Sequence, residues 1–393
     1  MPIKITKTII KDIRFPTGKN KNGSDAMMMG TAQGYKIALI MLLGLWSMNL
    51  DAQSITWYDP LKENNQVIHG QGWQDLGYAR LPDEAQPLVR EPVWNLSRNA
   101  TGLLVRFTTN AKKIDASYIP LGRLQMPHMP ATGVSGLDLY TKDGKGSWIW
   151  VRGNYAFGDT VSYSFVLNDN VQTSREFYLY LPLYNSVKDL RIAVEEGRDF
   201  QFIPVSPKEK PITVYGTSIA QGACASRPGM AWTSILSRKL DKPVVNLGFS
   251  GNGQLEESLI QYLSEIDSEV YILDCLPNLV REEFTEEEVK KRLIRSVKYL
   301  KEKRPSTPIL LVEHAGYTDG KSNQERAQAY MRLNEWCKEA YRELLVEGLE
   351  EVYLLENEDI ALTMDATVDG THPSDLGMQQ QADAVADLLR EIL

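Results

Sequence analysis

The hydrophobic period of this chain changes across Pro204 to Pro211 (PVSPKEKP), and no single sheet or bundle can be built from both patterns at once. Before that stretch, short segments alternate apolar and polar positions between turn residues: GLLVRFT at 102–108, SWIWVR at 147–152 and EFYLYLPL at 176–183. Period two with β-branched and aromatic residues, and no convincing helical stretch, predicts an antiparallel β-sandwich. After it, apolar runs alternate with helical patterns. The runs ITVY (212–215), VVNLGF (244–249), VYILDCL (270–276), PILLV (308–312) and VYLL (352–355) read as five strands. Between them lie a helix face of Trp232, Ile235, Leu236 and Leu240 and an amphipathic segment 255–266. Two capping boxes, Thr285 with Glu288 and Ser322 with Glu325, each open a further helix, and a last helix covers 376–393. Strands alternating with helices predict an α/β fold with a five-stranded parallel sheet flanked by helices, flavodoxin-like, preceded by the all-β sandwich. The expected division is a 1–52 extension, a 53–207 accessory domain and a 208–393 α/β domain.

Several function classes are excluded or disfavoured by composition. A net charge of -8 and the absence of any Lys/Arg-rich stretch give no electrostatic footprint for nucleic acid. Apolar residues at 43% and charged residues at 24% are ordinary for a folded soluble protein. The 3 cysteines, Cys224, Cys275 and Cys337, are odd in number and far apart, so neither a disulfide framework nor a zinc ligand set follows from their spacing. Nothing in the histidine spacing calls for a metal or an organic cofactor.

The stretch YKIALIMLLGLWSMNLDA, ending before Gln53, has a basic start, one short apolar run and a small residue at its end, the pattern of an export signal. It predicts a secreted or periplasmic protein without stable membrane association once cleaved; an uncut anchor is the alternative. Met27, Met28 or Met29 is the expected start of translation, because the polar and basic lead before them is long for a signal.

In a parallel sheet, ligands bind beyond the carboxyl ends of the strands, and the loops there hold the residues with chemistry. Gly216-Thr217-Ser218 follows the first strand and places a serine hydroxyl at a strand-to-helix turn, where backbone N–H groups can converge on a developing oxyanion. Asp369-Gly370-Thr371-His372-Pro373 follows the fifth. His372 can serve as a base for Ser218, with Asp369 three residues earlier to orient its ring. Ser250-Gly251-Asn252 after the second strand and Pro277-Asn278 after the third supply candidate oxyanion donors, the Gly251 backbone and the Asn278 side-chain amide.

These four blocks, in this order and on these elements, resemble the SGNH (GDSL-like) hydrolase superfamily over roughly residues 208–393. The resemblance implies a serine esterase in which Ser218, Asp369 and His372 form the triad, and Ser218, Gly251 and Asn278 form the oxyanion hole. Thr217 stands where the family's Gly-Asp-Ser block has aspartate, and DCLPN where Gly-x-Asn-Asp is common. Gly136-Leu137-Asp138-Leu139-Tyr140 resembles the GxDLY signature of β-domains that precede a subgroup of these hydrolases. That implies an accessory sandwich lending a wall or a specificity contact, with Asp138 a candidate for the substrate side; a turn cap is the other reading of Asp138. His128, in the proline-flanked MPHMP, could reach the cleft, and Glu313 and His314 either line the substrate site or form a structural pair. The expected reaction is hydrolysis of small acyl esters, acetyl above all, on a saccharide. Lipid ester hydrolysis, acyl transfer and a carbohydrate-binding module with an inert hydrolase domain are the alternatives.

Overall fold

Alternation of apolar and polar residues sorts the first half of the chain into two sheet faces. On the strand Leu104–Thr109, Val105 and Phe107 point inward; on Lys113–Pro120, Ile114, Ala116 and Tyr118 do the same. The computed structural model describes residues 54–168 and 173–393. The stretch read as an export signal, and the boundary expected at residue 52, lie outside the described residues.

One antiparallel sheet has the strand order Ile55–Tyr58, Val187–Glu195, Lys113–Pro120, Val161–Val166, Gly153–Ala156. The other runs Phe200–Phe202, Leu104–Thr109, Arg175–Tyr180, Asp138–Lys142, Trp148–Val151, with the short Ile68–His69 paired to Leu104–Thr109. Their inner faces share one cluster containing Phe107, Phe165, Phe177, Ile114 and Tyr118. Burying each large apolar side chain there stabilises the fold by roughly 1.5–3 kcal/mol. The structure departs from the all-β expectation at Glu91–Ser97, a seven-residue helix with proline in its first turn. Only Val93 and Ser97 on it are buried, four residues apart, so it carries too short an apolar stripe to register as a periodic pattern.

The second half builds a five-stranded sheet in the order Val244–Gly248, Ile212–Gly216, Val270–Asp274, Ile309–Val312, Val352–Leu355, with every neighbouring pair parallel. The first three strands of that order are buried at every position, which is why they read as mainly apolar runs without polar alternation. Helices Glu257–Glu265, Glu286–Lys303 and Gln324–Val346 cover one face, and Trp232–Leu240 with Asp375–Ile392 cover the other. The strand order reverses beside Ile212–Gly216, so a crevice opens at that strand's carboxyl end.

Thr285 caps Glu286–Lys303 as its spacing predicts, accepting from Glu288 N–H. The second box is set one residue differently: Asn323, not Ser322, caps Gln324–Val346 by accepting from Arg326 N–H, and the Ser322 hydroxyl donates to the Asp319 carbonyl.

Residues Ser54–Leu393 form one compact unit. Arg80 is a physical reason for it. Its guanidinium, 1% exposed, donates to the carbonyls of Leu96 (2.7 Å) and Asn99 (3.0 Å) on its own side and of Asn246 (3.1 Å) and Gly248 (2.7 Å) on a strand of the parallel sheet. Burial, helped by the charge of Arg98, pulls it down to about 9.

Candidate active site

The chain after the first parallel strand turns at once into a four-residue helix, Ser218–Gln221. Thr217 caps it, its hydroxyl accepting from Ile219 N–H at 3.2 Å, and the left-handed Gly222 ends it. Gly216 permits the tight return: a Cβ there would lie 2.6 Å from Ala220 Cβ and 2.8 Å from the Asp274 carbonyl oxygen. This places Ser218 at the crevice.

Across the crevice, the loop after the fifth strand folds around a carboxylate. Asp369 Oδ1 accepts from the backbone N–H of Thr371 (3.0 Å) and His372 (2.8 Å), and Oδ2 lies 2.7 Å from His372 Nδ1. Burial pushes the Asp369 carboxyl up. The hydrogen bonds and charge of His372, with that of Thr371 N–H, outweigh it and hold the group below the usual carboxylate range. An ionised carboxylate only accepts, so Nδ1 carries the imidazole proton and Nε2 is left as the acceptor. Ser218 Oγ lies 3.0 Å from that Nε2. The three side chains therefore form one hydrogen-bonded relay, and such a relay can take a proton from the hydroxyl.

The loop after the second strand is anchored from several directions. Gln221 Oε1 accepts from Ser250 N–H (2.9 Å), Arg281 donates to the Gly251 carbonyl (3.0 Å), and Arg90 grips Asn252 through its side-chain oxygen (2.7 Å) and its carbonyl (2.9 Å). Gly251 takes φ +70°, a glycine conformation. The N–H groups of Ser218 and Gly251 meet no hydrogen-bond acceptor among the described residues. The Asn278 amide is oriented by the two N–H groups facing it, with its oxygen accepting from Asn252 (2.9 Å) and Gly253 (3.0 Å). Its NH2 is thereby left to donate.

The sandwich half contributes directly. Tyr184 OH donates to the Ser218 carbonyl (3.4 Å), and the His128 ring lies 5.7 Å from that of His372. Cys224, at the end of the turn that starts with Ser218, donates to the His128 carbonyl (3.4 Å). Burial, with the charge of Asp369, pushes its thiol up to about 12.

Three residues that the sequence reading offers to the substrate are otherwise engaged. Asp138 is 3% exposed; its carboxylate accepts from Trp150 Nε1 (2.6 Å), Arg227 (2.6 Å) and Gly229 N–H (3.0 Å), joining the sandwich to the α/β half. Glu313 is buried, accepts from Asn357 N–H (2.9 Å) and lies 3.6 Å from Lys338 Nζ. His314 is buried against Tyr317 and Tyr330, its Nδ1 accepting from Gly316 N–H (3.0 Å). Burial, helped by Arg326, pulls it down to about 3 and keeps it neutral. The Asp138 carboxylate is satisfied by protein donors, whereas Glu313 Oε1 and His314 Nε2 are buried without a hydrogen-bond partner among the described residues. Sequence reasoning misses Arg90, Tyr184, Gln221 and Cys224; only Gln221 and Cys224 carry a local signal, their closeness in the chain to Ser218.

Known proteins share the family and the fold of both halves of the chain. Residues 209–390 match the GDSL-like Lipase/Acylhydrolase family, and residues 55–200 match GxDLY, the N-terminus of Esterase_SGNH_hydro-type. A GDSL-like lipase from Bacteroides ovatus ATCC 8483 is 31% identical, with a TM-score of 0.78 over 86% of this chain and 98% of that one. A salicylyl-acyltransferase from a tetracycline biosynthetic pathway shares the fold at 16% identity and a TM-score of 0.67, over 86% and 98% of the two chains. So does an acetyl xylan esterase from the rumen bacterium Butyrivibrio proteoclasticus, at 11% identity and a TM-score of 0.50, again over 86% and 98%. No curated protein sequence matches the chain. On the family match and the lipase likeness together, the chain belongs to the GDSL-like lipase/acylhydrolase family, carries the GxDLY domain ahead of its hydrolase domain, and is a carboxylic ester hydrolase of the SGNH type.

Proposed function

We propose that the protein is a serine esterase that removes small acyl groups, acetyl first among them, from a saccharide. The observation that carries the reading is the relay from Ser218 Oγ through His372 to Asp369, with spacings of 3.0 and 2.7 Å. His372 Nε2 takes the hydroxyl proton as Ser218 Oγ attacks the ester carbonyl, and Asp369 holds the imidazolium that forms. The oxyanion is met by Ser218 N–H, Gly251 N–H and the Asn278 NH2. His372 then gives its proton to the leaving alcohol, and in the second half-reaction activates the water that frees the acid from the acyl-enzyme.

A small acyl group suits the surroundings, since Ser218 is 8% exposed and Tyr184, Cys224 and His128 crowd its side of the crevice. The saccharide is suggested by the shared fold of the acetyl xylan esterase. Export rests on the signal-like stretch before Gln53. The test compares p-nitrophenyl acetate with longer acyl esters, using the chain from Gln53 onward and its Ser218→Ala variant. Acetate turnover should exceed that of the longer esters and vanish in the variant; equal rates in the two proteins would end the nucleophile assignment.

A further inference from the structure

We propose that His128, Cys224 and His372 form a zinc-binding site, and that zinc bound there switches the esterase off. The metal site stands on geometry alone; the switching rests on the reading of His372 as the base. The three residues come from distant parts of the chain, so their spacing in sequence shows nothing. Folding brings one ligand atom from each within 4.8 Å of the other two.

The donor set is a thiol and two imidazoles, soft and borderline ligands that suit zinc and not magnesium or calcium. Ligands of a tetrahedral zinc, at about 2.0–2.3 Å from the metal, lie roughly 3.3–3.6 Å apart. A small closing movement therefore completes the site. His128 can supply it, because it is exposed on the proline-flanked loop MPHMP. His372 is already oriented: its Nδ1 is held by Asp369 at 2.7 Å, which leaves Nε2 as the ligand. A carboxylate behind a histidine is the usual support of a zinc-bound imidazole. Cys224 sits at φ +70°, a backbone conformation natural to glycine and unfavourable for a side chain. That strained position keeps its sulfur beside the His128 carbonyl and against the crevice.

As the Zn–S bond forms, the Cys224 thiol gives its proton to solvent. The Zn–N bond takes up the lone pair of His372 Nε2, the same pair that would accept the Ser218 proton. Occupied, the site has no free base, and Ser218 is not activated. Inhibition should be reversible by a chelator.

The test titrates zinc into the wild type, Cys224→Ala and Ser218→Ala in thiol-free buffer, with a chromophoric chelator as competitor, and follows acetate ester turnover in parallel. Cobalt is used in place of zinc for absorption spectra. Expected are one zinc per chain, loss of turnover in step with occupancy, and full recovery with chelator. Cys224→Ala, with its own zinc-free turnover as the reference, should need at least about tenfold more zinc, the scale on which affinity responds to changes at a metal site. A thiolate-to-cobalt band should appear in the wild type and in Ser218→Ala and be absent from Cys224→Ala. Should Cys224→Ala fail to fold, His128→Ala, altered on an exposed loop, must show the same loss of zinc affinity. Equal zinc sensitivity of wild type and Cys224→Ala, or no thiolate band in the wild type, overturns the site. A Ser218→Ala protein that binds zinc normally and still turns over ester would sink the nucleophile reading and leave the metal site standing.

Discussion

Asp369 accepts three hydrogen bonds, two from backbone N–H groups of its own loop and one from the imidazole, so the carboxylate shapes the loop as well as the tautomer of His372. Replacing it with asparagine keeps the size but offers Nδ1 a donor, which favours the wrong tautomer. Asp369→Asn should lower kcat by on the order of 10^4 with little change in KM, read by steady-state kinetics. In the proposed mechanism Asn278 acts on the other side of the reacting carbonyl. Asn278→Ala should cost about 10^2–10^3 in kcat, again with KM nearly unchanged; a loss confined to KM would place Asn278 in ground-state binding. These residues are legible in the sequence because each is a short block at the end of a strand, where the block itself announces the loop. Arg90 and Tyr184 are not, because each acts on the site through residues far along the chain, such as Asn252 and Ser218. Asp138 misleads for the related reason that a carboxylate in a turn and one buried against Arg227 look alike in sequence.

Among the elements, the long helices are set by their first turns. Thr285→Ala removes the acceptor for Glu288 N–H and should cost about 1 kcal/mol in urea unfolding. Asn323→Ala should cost a similar amount, and Ser322→Ala much less, since only Asn323 caps its helix. Ser322 and Asn323 both have capping side chains, and which one stops the turn depends on the path of the chain from Asp319, which local sequence does not record. The parallel strands are the most readable elements. Burial on both faces leaves no polar alternation to confuse them. Glu91–Ser97 is the least readable, because a helix that buries two side chains leaves no periodic trace.

For the molecule as a whole, two buried ionisable groups bear on stability. Asp274 ends the third strand of the parallel sheet; burial, opposed by a hydrogen bond from Gln381, raises its carboxyl to about 7. The fold thus favours its protonated form. Its contribution is full below the ordinary carboxylate range and is lost as pH rises through about 7. Asp274→Asn should flatten the stability profile, closing a gap on the order of 4 kcal/mol that opens for the wild type between about pH 4 and pH 8. Urea midpoints across that range check it, and parallel profiles would refute it. Arg80→Ala leaves four carbonyls without their donor and should destabilise the protein by roughly 3–5 kcal/mol, seen as one cooperative transition shifted to lower denaturant. Arg80 also gives synthesis an order of events. The guanidinium leaves the ribosome 166 and 168 residues ahead of the carbonyls of Asn246 and Gly248. At roughly 5–20 residues per second it waits on the order of 10–30 s for them. The first-made half therefore lacks part of its own interior until the second half arrives, so the two halves, produced as separate chains, should be soluble and active only when mixed.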